Sequence, residues 1–279
     1  MKHARHTVVI TGGTGTFGTA LTEFLLKRKD IDRIRILSRD ELKQSEMERK
    51  YKDSRLRFFL GDVRDLPRLE SAFSGADIVV HAAALKHVPA CEYNPFEAVK
   101  TNILGTQNVL AACLSQGVKK AIFLSSDKAV DPINHYGATK KVAENLWLYA
   151  NGMQKTKFSI TRWGNIIGSR GSVIPLFQEQ AKQGVLTVTH QDMTRFWIHT
   201  EDAVQFFWKK VQSMKGGEVF IPTMRSAFVS DVARTIAPRA MIRYVGVRDG
   251  EKMHETLGKD YNSNDSDRLM TKKELKAFL

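Results

Sequence analysis

Cysteine is nearly absent. Cys91 and Cys113 are the only two thiols in 279 residues, and neither sits in a metal-ligand spacing. That argues against a disulfide framework and predicts a reducing, cytosolic compartment. Proline is scarce at seven residues, so there is no proline-rich linker or recognition tract. No apolar run approaches the length that crosses a bilayer, so no membrane partner is expected. The opening "MKHARHTVVITGG" runs straight into an apolar stretch and a glycine turn, leaving no room for a signal peptide. His81, His87, His190 and His199 show no ligand pattern, so they read as structural and no metal is expected. Acidic residues are also short: 30 Asp and Glu face 43 Lys and Arg, a formal charge of +13. This balance favours anionic partners. The basic residues are dispersed rather than gathered into a tail, which argues against nucleic acid and for phosphorylated small molecules.

What is present is an ordinary globular composition, 42% hydrophobic, in a length that suits one large α/β domain with or without a smaller lobe. Six apolar, β-branched runs read as strands: "TVVIT" (Thr7 to Thr11), "RIRIL" (Arg33 to Leu37), "RFFLG" (Arg57 to Gly61), "DIVVHAA" (Asp77 to Ala83), "AIFLSS" (Ala121 to Ser126) and "FSITR" (Phe158 to Arg162). Helical patterns follow most of them, including Gly18 to Lys29 and Asn94 to Ser115. The alternation predicts an α/β fold: a Rossmann-type, doubly wound parallel sheet covered on both faces. After Arg162 the pattern breaks into a Gly-rich loop, "WGNIIGSRGSV", a helix in "VIPLFQEQAKQG" and a short strand in "LTV". "EDAVQFFWKKVQSM" and "EVFIP" then read as a helix and a strand returning to the sheet, and 223–279 shows no strong strand series. The expected division is a nucleotide-binding domain over 1–164, rejoined by 199–222. A small C-terminal substrate lobe is expected from 165–198 and 223–279, over the carboxyl ends of the strands.

"TGGTGTFG" links the first strand to a helix, with Gly12, Gly15 and Gly18 spaced three apart. Glycines there let the turn tighten and let backbone N–H groups reach a pyrophosphate. Gly12, Thr14, Gly15, Thr16, Phe17 and Gly18 are the expected dinucleotide cradle. The second strand ends in Ser38-Arg39, where NAD enzymes commonly place a carboxylate for the ribose 2′-hydroxyl. Arg39 suits a 2′-phosphate, so NADP is the expected cofactor. Asp40 opens the next helix, and Lys43 joins the same group. Asp62 and Val63 are placed to contact adenine, and Ala82 and Ala83 to run beside the nicotinamide half.

"LSSDKAVDPINHYGATK" carries the reactive groups. Tyr136 and Lys140 are four apart at a helix start and share a face. A nearby ammonium would lower the phenol's pKa, so the Tyr can take a hydroxyl proton while a hydride leaves. Ser126 is placed to hydrogen-bond the same oxygen. Between them stand Asp127 and Lys128, an acid and a base that simple hydride transfer does not need.

The segments "GGTGTFG", "SRDELKQSEM", "GDVRD", "HAAALKHVPACEYNPFEAVKTNILGTQNV", "SSDKAVDPINHYGATK", "RWGNIIGSRGSVIPLF", "MTRFWI" and "GVRDGEKMHE" occur here in order. Together they resemble the extended short-chain dehydrogenase/reductase superfamily. Within it they are similar to the soluble, inverting UDP-N-acetylglucosamine 4,6-dehydratases that begin pathways to pseudaminic acid and related surface sugars. The resemblance runs from about residue 6 to about residue 258.

It implies that Lys128 removes the C5 proton of a 4-keto sugar and that Asp127 protonates the departing C6 hydroxyl. It implies a UDP-sugar substrate held by Lys86, Asn165, Ser172, Val173, Ile174, Arg195, Arg248 and Glu251. Thr101 and Ile166 would face the cofactor, and the protein would assemble as a homo-oligomer. Phe196 and Trp197 are expected in the lobe's core, and Asn94-Pro95 as a helix entry. Two departures stand out: Asp249 replaces a usual proline, and the chain ends earlier than the family's full-length members. An isolated Asp–Lys pair prefers the charged forms, the wrong state for both roles, unless a dry site penalises charge. The rival readings are a retaining dehydratase, a C4 epimerase, and a non-catalytic NADP- or RNA-binding protein.

Overall fold

The computed structural model describes residues 5–153, 155–169 and 171–279. Residues 1–4, 154 and 170 lie outside it, and with them the expected start of the nucleotide-binding domain and one position of the "WGNIIGSRGSV" loop.

The first six strands are β1 (His6–Thr11), β2 (Ile31–Ser38), β3 (Leu56–Leu60), β4 (Ile78–His81), β5 (Lys120–Ser126) and β6 (Lys157–Trp163). The helices among them are α1 (Thr16–Leu26), α2 (Glu41–Tyr51), α3 (Leu66–Phe73), α4 (Val88–Tyr93), α5 (Pro95–Ala98), α6 (Gly105–Ser115) and α7 (His135–Ala150). Then come β7 (Asn165–Ile166), α8 (Val173–Ala181), β8 (Val185–Val188), β9 (Thr194–Ile198), α9 (Thr200–Ser213) and β10 (Val219–Phe220). The chain closes with β11 (Arg225–Phe228), α10 (Val229–Ile236), β12 (Met241–Tyr244), β13 (Thr256–Gly258), β14 (Tyr261–Asn262) and α11 (Lys272–Phe278).

Seven strands form one parallel sheet in the order β10-β6-β5-β4-β1-β2-β3. Successive residues of β1 feed opposite faces, as strand geometry requires. Val8 and Ile10 join the core shared with Leu21, Phe207 and Trp208 of α1 and α9. Val9 joins Phe73, Val109 and Trp147 of α3, α6 and α7 on the other face. Burial on both faces explains why these strands read as continuous apolar runs rather than alternating ones.

A three-stranded sheet, β11-β9-β7, and the parallel pair β12-β8 build the smaller lobe, and β13 and β14 form a hairpin. The segment 223–279 therefore does contain strands. They run two to four residues each, too short to leave a periodic trace. Trp197 packs in the lobe core. Phe196 instead joins the main core and meets Tyr261 edge-on at 5.3 Å.

The expected single helix from Asn94 to Ser115 is broken. Between α5 and α6, Val99–Leu104 winds as a π-helix. Such wider turns frequently mark functional sites. Asn102 holds this turn in place: it accepts from the Leu85 N–H at 2.8 Å and donates to the Leu85 carbonyl at 2.9 Å and Thr139 Oγ1 at 3.0 Å. Asn94 stands at the start of α5, but its side chain donates back to the Ala90 carbonyl instead of capping.

Candidate active site

A cleft of about 1050 Å³ opens at the carboxyl ends of the parallel strands, where open α/β sheets bind ligands. Its wall includes every residue expected at the cofactor: Gly12, Thr14, Gly15, Thr16, Phe17, Gly18, Ser38, Arg39, Asp40, Lys43, Asp62, Val63, Ala82, Ala83, Thr101, Tyr136, Lys140 and Ile166. The glycine turn fits a dinucleotide. Gly12 sits at φ +67°, and a Cβ there would lie 2.8 Å from the Ala83 backbone. Gly15 caps α1 without a side-chain bond, so the helix's first N–H groups face the cleft. Thr101 Oγ1 and Ser125 Oγ are buried with no partner among the described residues, and both residues line the cleft.

Where the adenosine is expected, Asp40 caps α2 by accepting from the Lys43 N–H at 3.0 Å, and its carboxylate also pairs with the Lys43 ammonium. The Arg39 side chain is 56% exposed and lies 3.7 Å from Asp62. Asp62 is gripped by Arg64 at 3.0 and 2.7 Å. Burial opposes the Asp62 charge, but the arginines outweigh it and hold the carboxyl below its ordinary range.

The reactive groups converge at the end of β5. Ser126 closes the strand, and Asp127–Ala129 form a single 3₁₀ turn packed against α7. Gly137 allows that packing: a Cβ there would lie 2.2 Å from the Lys128 carbonyl oxygen. Ser126 Oγ donates to Asp127 Oδ1 at 2.7 Å, and Lys128 Nζ reaches the same oxygen at 3.1 Å. Asp127 is fully buried and does not line the cleft, whereas Ser126, Lys128, Tyr136 and Lys140 do.

The electrostatics differ from the expectation at one point. The Lys140 ammonium is hydrogen-bonded elsewhere than to Tyr136. It donates to the Leu124 carbonyl at 2.5 Å and lies 3.9 Å over the Phe123 ring. Burial lowers its pKa to about 7. Burial pushes Tyr136 up to about 12, and the groups that oppose this are Lys128 and Ser126. The cation beside the phenol is thus the one expected to serve the elimination.

On the substrate side, Lys86, Asn165 and Ser172 line the cleft. Ser172 caps α8, whose first residue is Val173, while the Ile174 side chain packs into the lobe core. The structure does not bring Val173, Ile174, Arg195, Arg248 or Glu251 to the cleft wall. Arg195 is 8% exposed and donates to the carbonyls of Thr194 at 2.8 Å and Met253 at 3.3 Å. Arg248 is exposed on a loop, and its carbonyl accepts from the Glu251 N–H at 3.1 Å.

Besides Ser125, two residues at the site were not expected from the sequence. Glu255 is 2% exposed, with Oε1 lying 3.1 Å from Lys128 Nζ and 3.9 Å from Arg195 Nε. Its only trace was membership of the "GVRDGEKMHE" segment. His87 lines the cleft against Gly171, and nothing in its spacing set it apart. Among the described residues, no group of His, Cys, Asp and Glu is arranged to hold a metal, and no helix is long and apolar enough to cross a membrane.

A parallel nucleotide-binding sheet, a glycine turn and a Tyr-x-x-x-Lys helix beside a Ser define an extended short-chain dehydrogenase/reductase. Within that class the chain belongs to the family described as "Polysaccharide biosynthesis protein", whose profile matches residues 8–275. It is 49% identical over 255 residues to the UDP-N-acetylglucosamine 4,6-dehydratase (inverting) of Campylobacter jejuni, covering 90% of this chain and 76% of that protein. It is 43% identical over 262 residues to the UDP-glucose 4-epimerase of Rickettsia prowazekii, covering 90% and 77%. Among solved structures, Pen from Bacillus thuringiensis aligns with a TM-score of 0.93 at 36% identity, over 100% of this chain and 99% of that one.

Proposed function

We propose that this protein dehydrates a UDP-N-acetylhexosamine, with UDP-N-acetylglucosamine as substrate, to a 4-keto-6-deoxy sugar nucleotide with inversion at C5. The observation that carries the reading is the pair of buried Asp127 and partly exposed Lys128, joined at 3.1 Å and hydrogen-bonded through Ser126, at the cleft that holds Tyr136. The 49% identity to the Campylobacter jejuni enzyme supports the same substrate. NADP fits the end of β2, where the strand presents Ser38 and Arg39 while Asp40 is committed to capping α2.

The bound cofactor's chemistry is to take a hydride and later return it. Tyr136, beside Ser126, takes the C4 hydroxyl proton as its phenolate, a form that burial opposes and that the Lys128 cation and the Ser126 hydrogen bond favour, and C4 becomes a ketone. That ketone acidifies the C5 proton. Lys128, as the amine, removes it, while Asp127, as the acid behind the cleft wall, passes its proton to Ser126 Oγ, which gives its own to the C6 hydroxyl, and that departs as water. C6 then gains the hydride that bound NADPH would supply, and C5 takes a solvent-derived proton on the opposite face. The pair starts with its proton on Lys128, so a proton must first cross the 3.1 Å contact to Asp127. Seating a sugar over the partly exposed Lys128 dries the site and penalises separated charges, which brings the neutral pair within reach.

A C4 epimerase is the second reading, favoured by the Rickettsia prowazekii relative. It needs Tyr136 and Lys140 but leaves Asp127 and Lys128 without a task. Mass spectrometry after incubation with UDP-N-acetylglucosamine separates the two: a dehydratase product is one water lighter, an epimerase product has unchanged mass. Tight RNA binding without turnover of any UDP-hexose would overturn both. A cytosolic homo-oligomer serving surface-glycan or nonulosonic-acid synthesis, such as a pseudaminic acid pathway, completes the proposal and rests on the family resemblance.

A further inference from the structure

Glu255 has no part in the chemistry above, yet its carboxylate is built into the site. It precedes β13, and Ser263 ties both of its backbone polar groups. The Glu255 N–H donates to Ser263 Oγ at 2.8 Å, and the Ser263 N–H donates to the Glu255 carbonyl at 2.9 Å. Ser263 Oγ in turn shares a hydrogen bond of 2.7 Å with Thr194 Oγ1 of β9. Ser263, Thr194 and Leu257 are all fully buried.

The segment is also docked on the nucleotide-binding sheet. Arg162 Nη1 donates to the Leu257 carbonyl at 2.8 Å while its fork grips Glu144 of α7 at 2.9 and 2.6 Å. Asn134 Nδ2 donates to the Gly250 carbonyl at 2.8 Å, and Lys252 Nζ to the Val130 carbonyl at 2.5 Å. These ties leave the carboxylate little freedom to leave Lys128.

We propose that Glu255 is a positioning residue: from the smaller lobe it holds Lys128 Nζ, as an ammonium, at the mouth of the cleft beside Asp127. What Lys128 does there rests on the dehydratase reading; the contact does not.

The charges facing Lys128 set the consequence. Asp127 lies on its own turn, Glu255 ahead of β13, Arg195 on β9 beyond Glu255, and the Tyr136 phenol on α7, with the Cys91 thiol of α4 behind it. Two carboxylates face two cations, so the cluster is neutral overall. Burial works against the ammonium, but the carboxylates outweigh it and hold Lys128 above its ordinary value. Replacing Glu255 with an uncharged isostere leaves two cations against one carboxylate. Lys128 then surrenders its proton more readily and loses one of its two anchors.

Pulse acylation with acetic anhydride at pH 8, read by peptide mass spectrometry, tests this, because only the neutral amine reacts. In Glu255→Gln, Lys128 should be labelled at least about tenfold faster than in the unmodified protein. Lys86, on the same cleft wall, should keep its rate, and Glu255→Asp should restore slow labelling at Lys128. Water loss from UDP-N-acetylglucosamine should fall in kcat in Glu255→Gln, because the amine, though neutral more often, has lost an anchor and is misplaced, with KM little changed because Glu255 is off the cleft wall. Equal Lys128 labelling in Glu255→Gln and the unmodified protein overturns the proposal. If the unmodified protein fails to release water while the labelling difference holds, the dehydratase reading falls and the positioning role stands.

Discussion

Replacing Lys128 separates its charge from its chemistry. In Lys128→Met, Asp127 and Glu255 stay buried, at 0% and 2% exposure, without the cation they share. Removing one partner of a buried ion pair costs about 3–5 kcal/mol. The Lys128 side chain is 21% exposed, so water entering from the cleft offsets part of this and the lower end, about 3 kcal/mol, applies. That corresponds to a melting temperature about 6–12 °C lower. Lys128→Arg keeps a permanent cation near both carboxylates and should lose less than about 1 kcal/mol.

Neither variant has an amine to take the C5 proton, so water loss should fall by about 10²–10⁴ in both. Thermal unfolding followed by circular dichroism at pH 7 gives the first quantity, and mass spectrometry of the sugar nucleotide gives the second. Lys128→Arg is the decisive protein: near-native stability with water loss at the unmodified rate would refute the assignment of Lys128 as base. A Lys128→Met protein as stable as the unmodified one would refute the description of the cluster as a buried, mutually compensating set of charges.

Three further outcomes are expected. His81 is fully buried between Thr11 Oγ1 at 2.8 Å and Thr106 Oγ1 at 3.0 Å, and burial, aided by the Lys140 charge, lowers its pKa to about 3. A depressed folded value means the stability it carries is complete above about 6.5 and drains as pH falls toward about 3. Between pH 7 and pH 5, urea unfolding should show the unmodified protein losing about 2 kcal/mol more than His81→Gln; equal losses would contradict this. Gly137→Ala should destabilise by about 1–3 kcal/mol and slow turnover while dinucleotide affinity, measured by calorimetry, is kept. Weakened dinucleotide binding with unchanged turnover would show that the Gly137 contact does not shape the 3₁₀ turn. Arg39→Ala should weaken NADP binding by about 1.5–3 kcal/mol and leave NAD binding nearly unchanged; an equal effect on both cofactors would remove the 2′-phosphate role.

Much of the fold was legible because buried parallel strands write themselves as apolar β-branched runs. The six expected strands fall within two residues of β1 to β6 at each end. The break at Val99–Leu104 was not legible. A π-turn keeps helical composition, and its anchor, Asn102 on the Leu85 backbone, spans seventeen positions of sequence. The lobe was read only in outline, since its strands are short and gain their order from pairing with partners as distant as Val185 and Met241.

The cleft wall could be read because it is one local motif after another at strand ends. Glu255 could not, because its role comes from a tertiary approach across more than a hundred residues to Lys128. The same kind of approach explains Tyr136: helical spacing put Lys140 on its face, while the fold spent Lys140 on the Leu124 carbonyl and brought Lys128 beside the phenol.

The most direct measurement is a reaction of the purified protein with UDP-N-acetylglucosamine and NADP in deuterated water, followed by proton NMR and mass spectrometry. The expected product is lighter by one water, with a new methyl group at C6, deuterium at C5 and inverted configuration there. A product of unchanged mass, epimerised at C4 with C5 still carrying its original proton, would contradict it and leave Asp127 and Lys128 without a chemical role.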